Sequence, residues 1–523
     1  MKVSPRRTAL AVLAAAASVV LASCTVPVAG VAMAATSGTG PTGLDRYYTQ
    51  QFDWGPCTPF AGDDAQRTAF AAPGLDCATM TVPLDYSAPD GRVAEIAVLR
   101  HRTTAAEKVG SLVVNPGGPG GSGISLAAQF GAAQADGPFD VVGFDPRGVG
   151  ASTPAIDCVS DREIDEQRAD SDIDTSPAGV AHIEEENRRV AAQCVERSGG
   201  ADVIAHSGTR DVARDMDVLR AALGEQKLTF LGYSYGTRIG STYAELFPRN
   251  VRAMVLDGAI DPTQSSADSA VAQMEGFQKA FEAYAADCAT KAGCPLGNDP
   301  AAATAAFQAL ARPLMEHPAP VRDSSRTLSF SDAVTAVIAA LYNPASWPVL
   351  STGLTELKAG DGTTLMGLAD AYFARTTAGA YGNSQEALMV VNCADGGSTD
   401  DPQANAETAR RANEVAPFQD SGIEVTAVHS TCSYLPVAPT TPHLPEVDGL
   451  PRTLVVSTTG DPSTPYQAGV TLAKALDARL LTFEGTQHTV ALQGNACVDG
   501  IVGLYLVNLT LPAADVRCTA ATS

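Results

Sequence analysis

Leu228-Thr229-Phe230-Leu231-Gly232-Tyr233-Ser234-Tyr235-Gly236 runs from four strand-favouring residues into a serine flanked at two positions' distance by glycines, and a helix-compatible stretch follows. A chain that turns from strand to helix within a residue or two brings backbone against backbone. The glycines remove the Cβ atoms that would collide, and the serine between them takes a strained conformation that presents its hydroxyl at the tip of the turn. Ser234 is therefore the candidate nucleophile, and the strand–turn–helix context is what gives the five-residue pattern its meaning.

Other apolar runs repeat the arrangement on either side. Val93 to Arg100 alternates like a strand, Ser111 to Asn115 ends in a glycine-rich turn, and Phe139 to Phe144 precedes Asp145-Pro146-Arg147-Gly148. Ala253 to Leu256, Leu454 to Ser457 and Leu480 to Phe483 follow. Short apolar strands separated by helical segments predict a buried, mostly parallel sheet covered on both faces, an α/β class. With the serine turn, this predicts an α/β-hydrolase core. Asp261 to Glu446 offers no buried strand, only Ala-rich segments broken by Pro and Gly, which predicts a large, mainly helical cap inserted into the core. The expected boundaries are residues 46–262 for the first part of the core, 263–445 for the cap and 446–523 for the rest. A smaller insertion, Asp157 to about Ser198, is highly charged and reads as a solvated helical surface.

A serine nucleophile needs an oxyanion site, a base and an acid. Asn115-Pro116-Gly117-Gly118-Pro119-Gly120-Gly121-Ser122-Gly123 is the expected oxyanion turn, with the amides of Gly118 and Tyr235 as donors. It lacks the Lys-Ser/Thr ending of a phosphate-binding loop and the spacing of a dinucleotide fingerprint. In this fold the chain order is serine, acid, histidine, so His317, His429, His443 and His488 are eligible. The first three fall in the expected cap, while His488 follows a core strand and is the expected base. Asp461, in Thr459-Gly460-Asp461-Pro462-Ser463-Thr464-Pro465, is the expected acid, and Asp257 at the end of the preceding core strand is its rival. No metal or organic cofactor is called for.

The first residues read as an export signal. Lys2, Arg6 and Arg7 precede an uncharged run from Thr8 to Ser23 that is too short for a confident membrane span. Leu21-Ala22-Ser23-Cys24 has the form of a lipoprotein cleavage box, which makes Cys24 the expected lipidated terminus, residues 1–23 the signal and 24–45 a flexible tether. Cleavage after Ala32-Met33-Ala34, with simple secretion, is the alternative. Setting Cys24 aside leaves ten cysteines that fall into neighbouring pairs: Cys57 with Cys77, Cys158 with Cys194, Cys288 with Cys294, Cys393 with Cys432, and Cys497 with Cys518. Paired cysteines fit an oxidising compartment, and neither Cys-x-x-Cys pairs nor a His-rich spacing suggests a metal. A formal charge of −23, from 58 acidic and 35 basic residues, argues against nucleic acid and anionic lipid headgroups as partners.

The Gly-Gly-Pro-Gly-Gly turn, the Gly-Tyr-Ser-Tyr-Gly elbow and the Gly-Asp-Pro-x-Thr-Pro acid loop resemble those of the actinobacterial tripeptidyl-aminopeptidase family, over nearly the whole chain after about residue 45. The cleavage box and length are most similar to its mycobacterial cell-envelope serine proteases, also called carboxylesterase A. The resemblance implies an exported serine hydrolase with Ser234, Asp461 and His488 as its triad, acting on peptides or proteins, or on small esters. Thr464 matches a family threonine, which implies that its hydroxyl bonds the Asp461 carboxylate or shapes the substrate pocket, where its ordinary reading is a turn hydroxyl. An aminopeptidase must also hold a free ammonium, for which Asp395, beside Cys393, is the candidate carboxylate. A lipase working at envelope lipids is the second reading, with the same triad, and a non-catalytic binding protein is the third.

Overall fold

The strands are β1 (Leu75–Pro83), β2 (Val93–His101), β3 (Gly110–Asn115), β4 (Phe139–Phe144), β5 (Leu228–Tyr233), β6 (Val251–Asp257), the two-residue β7 (Ala319–Pro320) and β8 (Thr327–Leu328), β9 (Leu454–Thr458), β10 (Arg479–Glu484) and β11 (Arg517–Thr519). Nine of them form one sheet in the order β1-β2-β4-β3-β5-β6-β9-β10-β11, while β7 and β8 pair only with each other. β2 runs antiparallel to both β1 and β4, and every other neighbour in the large sheet is parallel. This computed structural model describes residues 43–134, 137–170, 173–438 and 447–520. The signal and lipidation readings, Cys24 included, lie outside them, as do His443 and residues 24–42 of the tether.

The central strands are buried on both faces, which is why they read as continuous apolar runs. Alternation still sorts their side chains. Val113, Phe230, Met254 and Val455 join one core, with the helices Thr209–Ala222 and Tyr235–Leu246 laid over it. Leu112, Val114, Leu231, Val255 and Val456 join the opposite core, under the helices Gly123–Ala133 and Ala496–Asn508. Each such side chain contributes about 1.5–3 kcal/mol through burial, offset by the ordering of the chain.

Parallel register brings the carboxyl ends of the strands into line. Asn115 pairs with Gly232, Tyr233 with Asp257, Asp257 with Val456, and Phe483 with Thr458. The segments that follow β3, β5, β9 and β10 therefore emerge side by side, and they carry the glycine turn, Ser234, Asp461 and His488. Open parallel sheets place their ligand sites at this edge.

Between β6 and β9 the regular elements among the described residues are helices apart from the β7–β8 pair, and they have their own apolar core around Phe281, Phe307, Val337, Leu350 and Phe418. The helix Pro177–Arg197 of the charged insertion is solvated over most of its length, as expected, but one face of it is packed. Val190, Ala191 and Cys194 of the helix Pro177–Arg197 pack with Ala387, Val390 and Cys393 of the larger insertion. Arg168 is buried, its Nε 2.8 Å from Asp332 and its Nη1 2.7 Å from Asp370. A charge count along the chain cannot see this, because the partners lie more than 160 positions away. The five neighbouring cysteine pairs are bonded, with sequence separations of 20, 36, 6, 39 and 21. Among the described residues no helix is long and apolar enough to cross a membrane.

Candidate active site

Ser234 stands between β5 and the helix Tyr235–Leu246 with φ 54° and ψ −125°, a conformation that L-residues seldom adopt and that costs about 1–3 kcal/mol. Two things hold it there. Its amide donates to the carbonyl of Asp257 at 2.9 Å, and its own carbonyl accepts from the amide and the hydroxyl of Thr237 at 2.8 and 2.6 Å. The glycines act as the sequence implied. A Cβ on Gly232 would lie 2.5 Å from the carbonyl of Gly236, and one on Gly236 would lie 2.9 Å from that of Asn115.

The glycine turn runs directly against this elbow. The Asn115 side-chain oxygen accepts the amide of Gly117 at 2.9 Å, and the carbonyl of Gly117 accepts that of Gly121 at 3.0 Å. Among the described residues neither the amide of Gly118 nor that of Tyr235 has an acceptor, so both donors remain available to a substrate oxygen. The turn is also pressed against the cap: Gly120, at φ +94°, leaves no room for a Cβ, which would stand 2.2 Å from the carbonyl of Ser384.

Asp461 is buried in the loop after β9. Its Oδ1 accepts the amides of Ser463 and Thr464 at 2.9 and 2.8 Å, and its two oxygens lie 2.8 and 3.0 Å from Nδ1 of His488. A carboxylate on Nδ1 fixes the tautomer in which Nε2 is the basic nitrogen. That Nε2 is buried and has no partner among the described residues. Burial pulls the His488 pKa down, but the Asp461 carboxylate, through charge and hydrogen bond, outweighs it and leaves the imidazole above its ordinary value. Thr464 sits at the pair rather than at its rim: its hydroxyl lies 3.3 Å from Nδ1 of His488, and its amide, not its hydroxyl, serves Asp461.

The rival acid has other work. Asp257 is fully buried, and its Oδ2 accepts the amides of Val490 and Ala491, each at 2.7 Å. Burial pushes its carboxyl up to about 6 against the pull of those two amides. Of the other histidines, His429 pairs with Glu184 at 2.8 Å within the insertions. Asp395, the expected ammonium partner, is buried among partners from the core. Its Oδ1 accepts the amide of Thr209 at 3.0 Å, its Oδ2 accepts the Thr209 hydroxyl at 2.5 Å, and Arg238 Nε stands 3.5 Å away. Both oxygens are engaged inside a buried network.

Residues of the cap that sequence reasoning did not single out grip the site. The carbonyl of Tyr342 accepts the amide of His488 at 2.9 Å, and the Tyr342 ring meets the imidazole edge-on at 5.3 Å. Gln273 donates to the carbonyl and hydroxyl of Ser463 at 3.2 and 3.1 Å. No motif marks either residue, since each acts through its position in the folded cap. A shallow groove of about 390 Å³ runs beside the elbow and is lined by Pro116, Leu126, Phe130, Tyr233 and Thr489. Among the described residues no group of three His, Cys, Asp or Glu side chains could hold a metal.

A serine on a strained turn, a histidine–carboxylate pair and two unclaimed amides on a doubly covered parallel sheet define a class of protein, the serine hydrolases. The model of the alpha/beta hydrolase fold matches residues 110–495. Over 516 residues, 96% of each chain, the protein is 46% identical to serine protease Hip1 of Mycobacterium tuberculosis. Carboxylesterase B of the same species is 45% identical over 489 residues, 92% of each chain. Tripeptidyl aminopeptidase of Streptomyces coelicolor is 33% identical over 465 residues, covering 85% of this chain and 83% of that one. The chain belongs to the α/β-hydrolase family, in the actinobacterial group that contains these relatives, and it is a serine hydrolase.

Proposed function

We propose that the protein is an exported serine peptidase that hydrolyses peptide bonds through an acyl-enzyme, in the manner of a tripeptidyl aminopeptidase or by limited proteolysis at the cell envelope. The observation that carries the acyl-enzyme chemistry, common to peptidase and esterase, is the Asp461–His488 pair at the same strand edge as the elbow serine, 2.8 Å apart with Nε2 left free. The names of the Hip1 and tripeptidyl aminopeptidase relatives support peptide or protein substrates.

In this mechanism Nε2 of His488 takes the Ser234 proton as Oγ attacks the carbonyl carbon. The amides of Gly118 and Tyr235 donate to the oxyanion, each contributing about 2.7–4 kcal/mol to the transition state. Collapse expels the amine, which takes the proton from His488, and water then releases the acyl group by the same steps in reverse order. Asp461 stabilises the imidazolium that forms in between. The cap, about residues 263–445, roofs the site and limits which substrates enter.

The alternative is a carboxylesterase or lipase acting on envelope or small esters with the same residues, favoured by the 45% identity to carboxylesterase B. Cleavage of a fluorogenic tripeptide amide with a free amino terminus, compared with its N-acetylated twin and with Ser234→Ala as blank, separates the two. Ser234-dependent turnover of the free-amine substrate is expected. Failure of both peptides alongside rapid ester turnover would assign the esterase. Localisation is read from the first residues: a lipid anchor at Cys24 holds the protein at the outer face of the cytoplasmic membrane, and an unmodified mature terminus at Ala35 in mass spectrometry would replace that with secretion.

A further inference from the structure

We propose that Asp257 is a positioning residue for the reaction, a clamp that sets the nucleophile and the base relative to one another. The inference rests on the assignment of Ser234, Asp461 and His488 made above. Asp257 ends β6, where its register partners are Tyr233 on one side and Val456 on the other. It therefore stands between the strand that delivers Ser234 and the strand that delivers Asp461. Its carbonyl accepts the amide of Ser234 at 2.9 Å, and its Oδ2 accepts the amides of Val490 and Ala491 at 2.7 Å, two and three residues past His488. Tyr233 of the elbow makes a second link, its hydroxyl donating to the carbonyl of Ala491 at 2.7 Å, but Asp257 ties the amide of Ser234 and two amides of the histidine loop at once.

A neutral acceptor would suffice if the residue only closed a loop. Asp257 is instead a buried carboxylate whose second oxygen has no partner among the described residues, an arrangement that costs the fold stability. The ionisable groups that act on it are Asp461 from the acid loop, His488 from the histidine loop and Tyr233 on the neighbouring strand. Burial lowers the His488 pKa, and Asp461 and then Asp257 raise it. The clamp thus acts twice, by fixing the loop and by adding negative charge behind the imidazolium that forms as Ser234 attacks.

Asp257→Ala and Asp257→Asn in the full chain, measured on a short-chain p-nitrophenyl ester with Asp461→Asn as comparator, test this. Asp257→Ala, folded by thermal melt and circular dichroism, is expected to lower kcat about 100-fold with KM within about threefold, as for a small displacement of a catalytic group. Asp257→Asn keeps an oxygen for the two amides but not the charge. It is expected to lose no more than about tenfold in kcat and to move the acid-side midpoint of the kcat/KM profile to lower pH. A folded Asp257→Ala enzyme with kcat within about twofold of the parent, or an Asp257→Asn profile whose midpoint does not move, overturns the proposal. Should Asp257→Ala not fold, the Asp257→Asn midpoint decides alone. A different result, Asp461→Asn proving milder than Asp257→Asn, would instead overturn the assignment of Asp461 as the acid.

Discussion

The elbow that holds Ser234 and the loop that holds His488 meet at one site, yet they are built in opposite ways. The elbow is almost wholly local: β5, two glycines, a strained serine and a helix within nineteen consecutive positions, from Leu228 to Leu246. The histidine loop is held from far away, by Asp461 27 positions earlier, by Asp257 233 positions before Val490, and by the cap residue Tyr342. A nucleophile on a short stiff turn needs little outside help beyond the Asp257 carbonyl that accepts its amide, whereas a base on a loop takes its place only when several distant segments have docked. Mutations near Ser234 should therefore alter chemistry on an intact frame, and mutations around His488 should alter geometry.

The largest test of that contrast is Ser234→Ala, expected to lower kcat about 10⁶-fold. Its melting temperature should stay at or above that of the parent, since no native packing is lost. A fluorophosphonate probe that still labels the variant would place the nucleophile elsewhere. Asp461→Asn should lower kcat about 10⁴-fold with little change in KM, because the imidazole loses its tautomer and its counter-charge, and crystallography of the variant should find the His488 ring turned on a loop still tied by Asp257 and Tyr342.

Gly120→Ala presses on the join between turn and cap. The positive φ and the collision with the Ser384 carbonyl predict a loss of about 1–3 kcal/mol in denaturant unfolding and a kcat/KM reduced about tenfold. Gly503→Ala is the control in the C-terminal helix, where nothing lies within 4 Å of the added methyl. It should raise stability by about 0.5–1 kcal/mol and leave kinetics alone.

The smallest effect is on pH. A base whose pKa is raised must lose its proton before it can act, so activity should climb through a midpoint above about pH 6.5. Asp461→Asn should bring that midpoint down. The same shift stabilises the fold while His488 is protonated: the contribution is full below about pH 6.5 and is lost as pH rises through the folded value. A midpoint below 6 in the parent would contradict the Asp461–His488 pairing.

Much of the fold was legible. β3, β4, β5, β6, β9 and β10 stood out because strands buried on both faces must be apolar throughout. β1 did not, since it is an outer strand whose Asp76 and Thr79 interrupt the pattern, and the three residues of β11 are too few to make one. The cysteine pairs were legible because each closes a loop of modest length. The burial of Arg168 and the engagement of Asp395 by Thr209 and Arg238 were not, because a charged side chain looks the same in sequence whether its partner is water or a residue on another helix.

By itself the sequence determined the class of fold and pointed to the candidate nucleophile and the glycine turn beside it, because glycines, short apolar runs and chain stiffness act over a few residues. Only the tertiary structure decided which carboxylate faces His488, which one clamps its loop, and that Tyr342 and Gln273 of the cap brace the catalytic loops. Those outcomes depend on contacts between segments brought together by parallel register and cap docking, and no local spacing encodes which distant surfaces will meet.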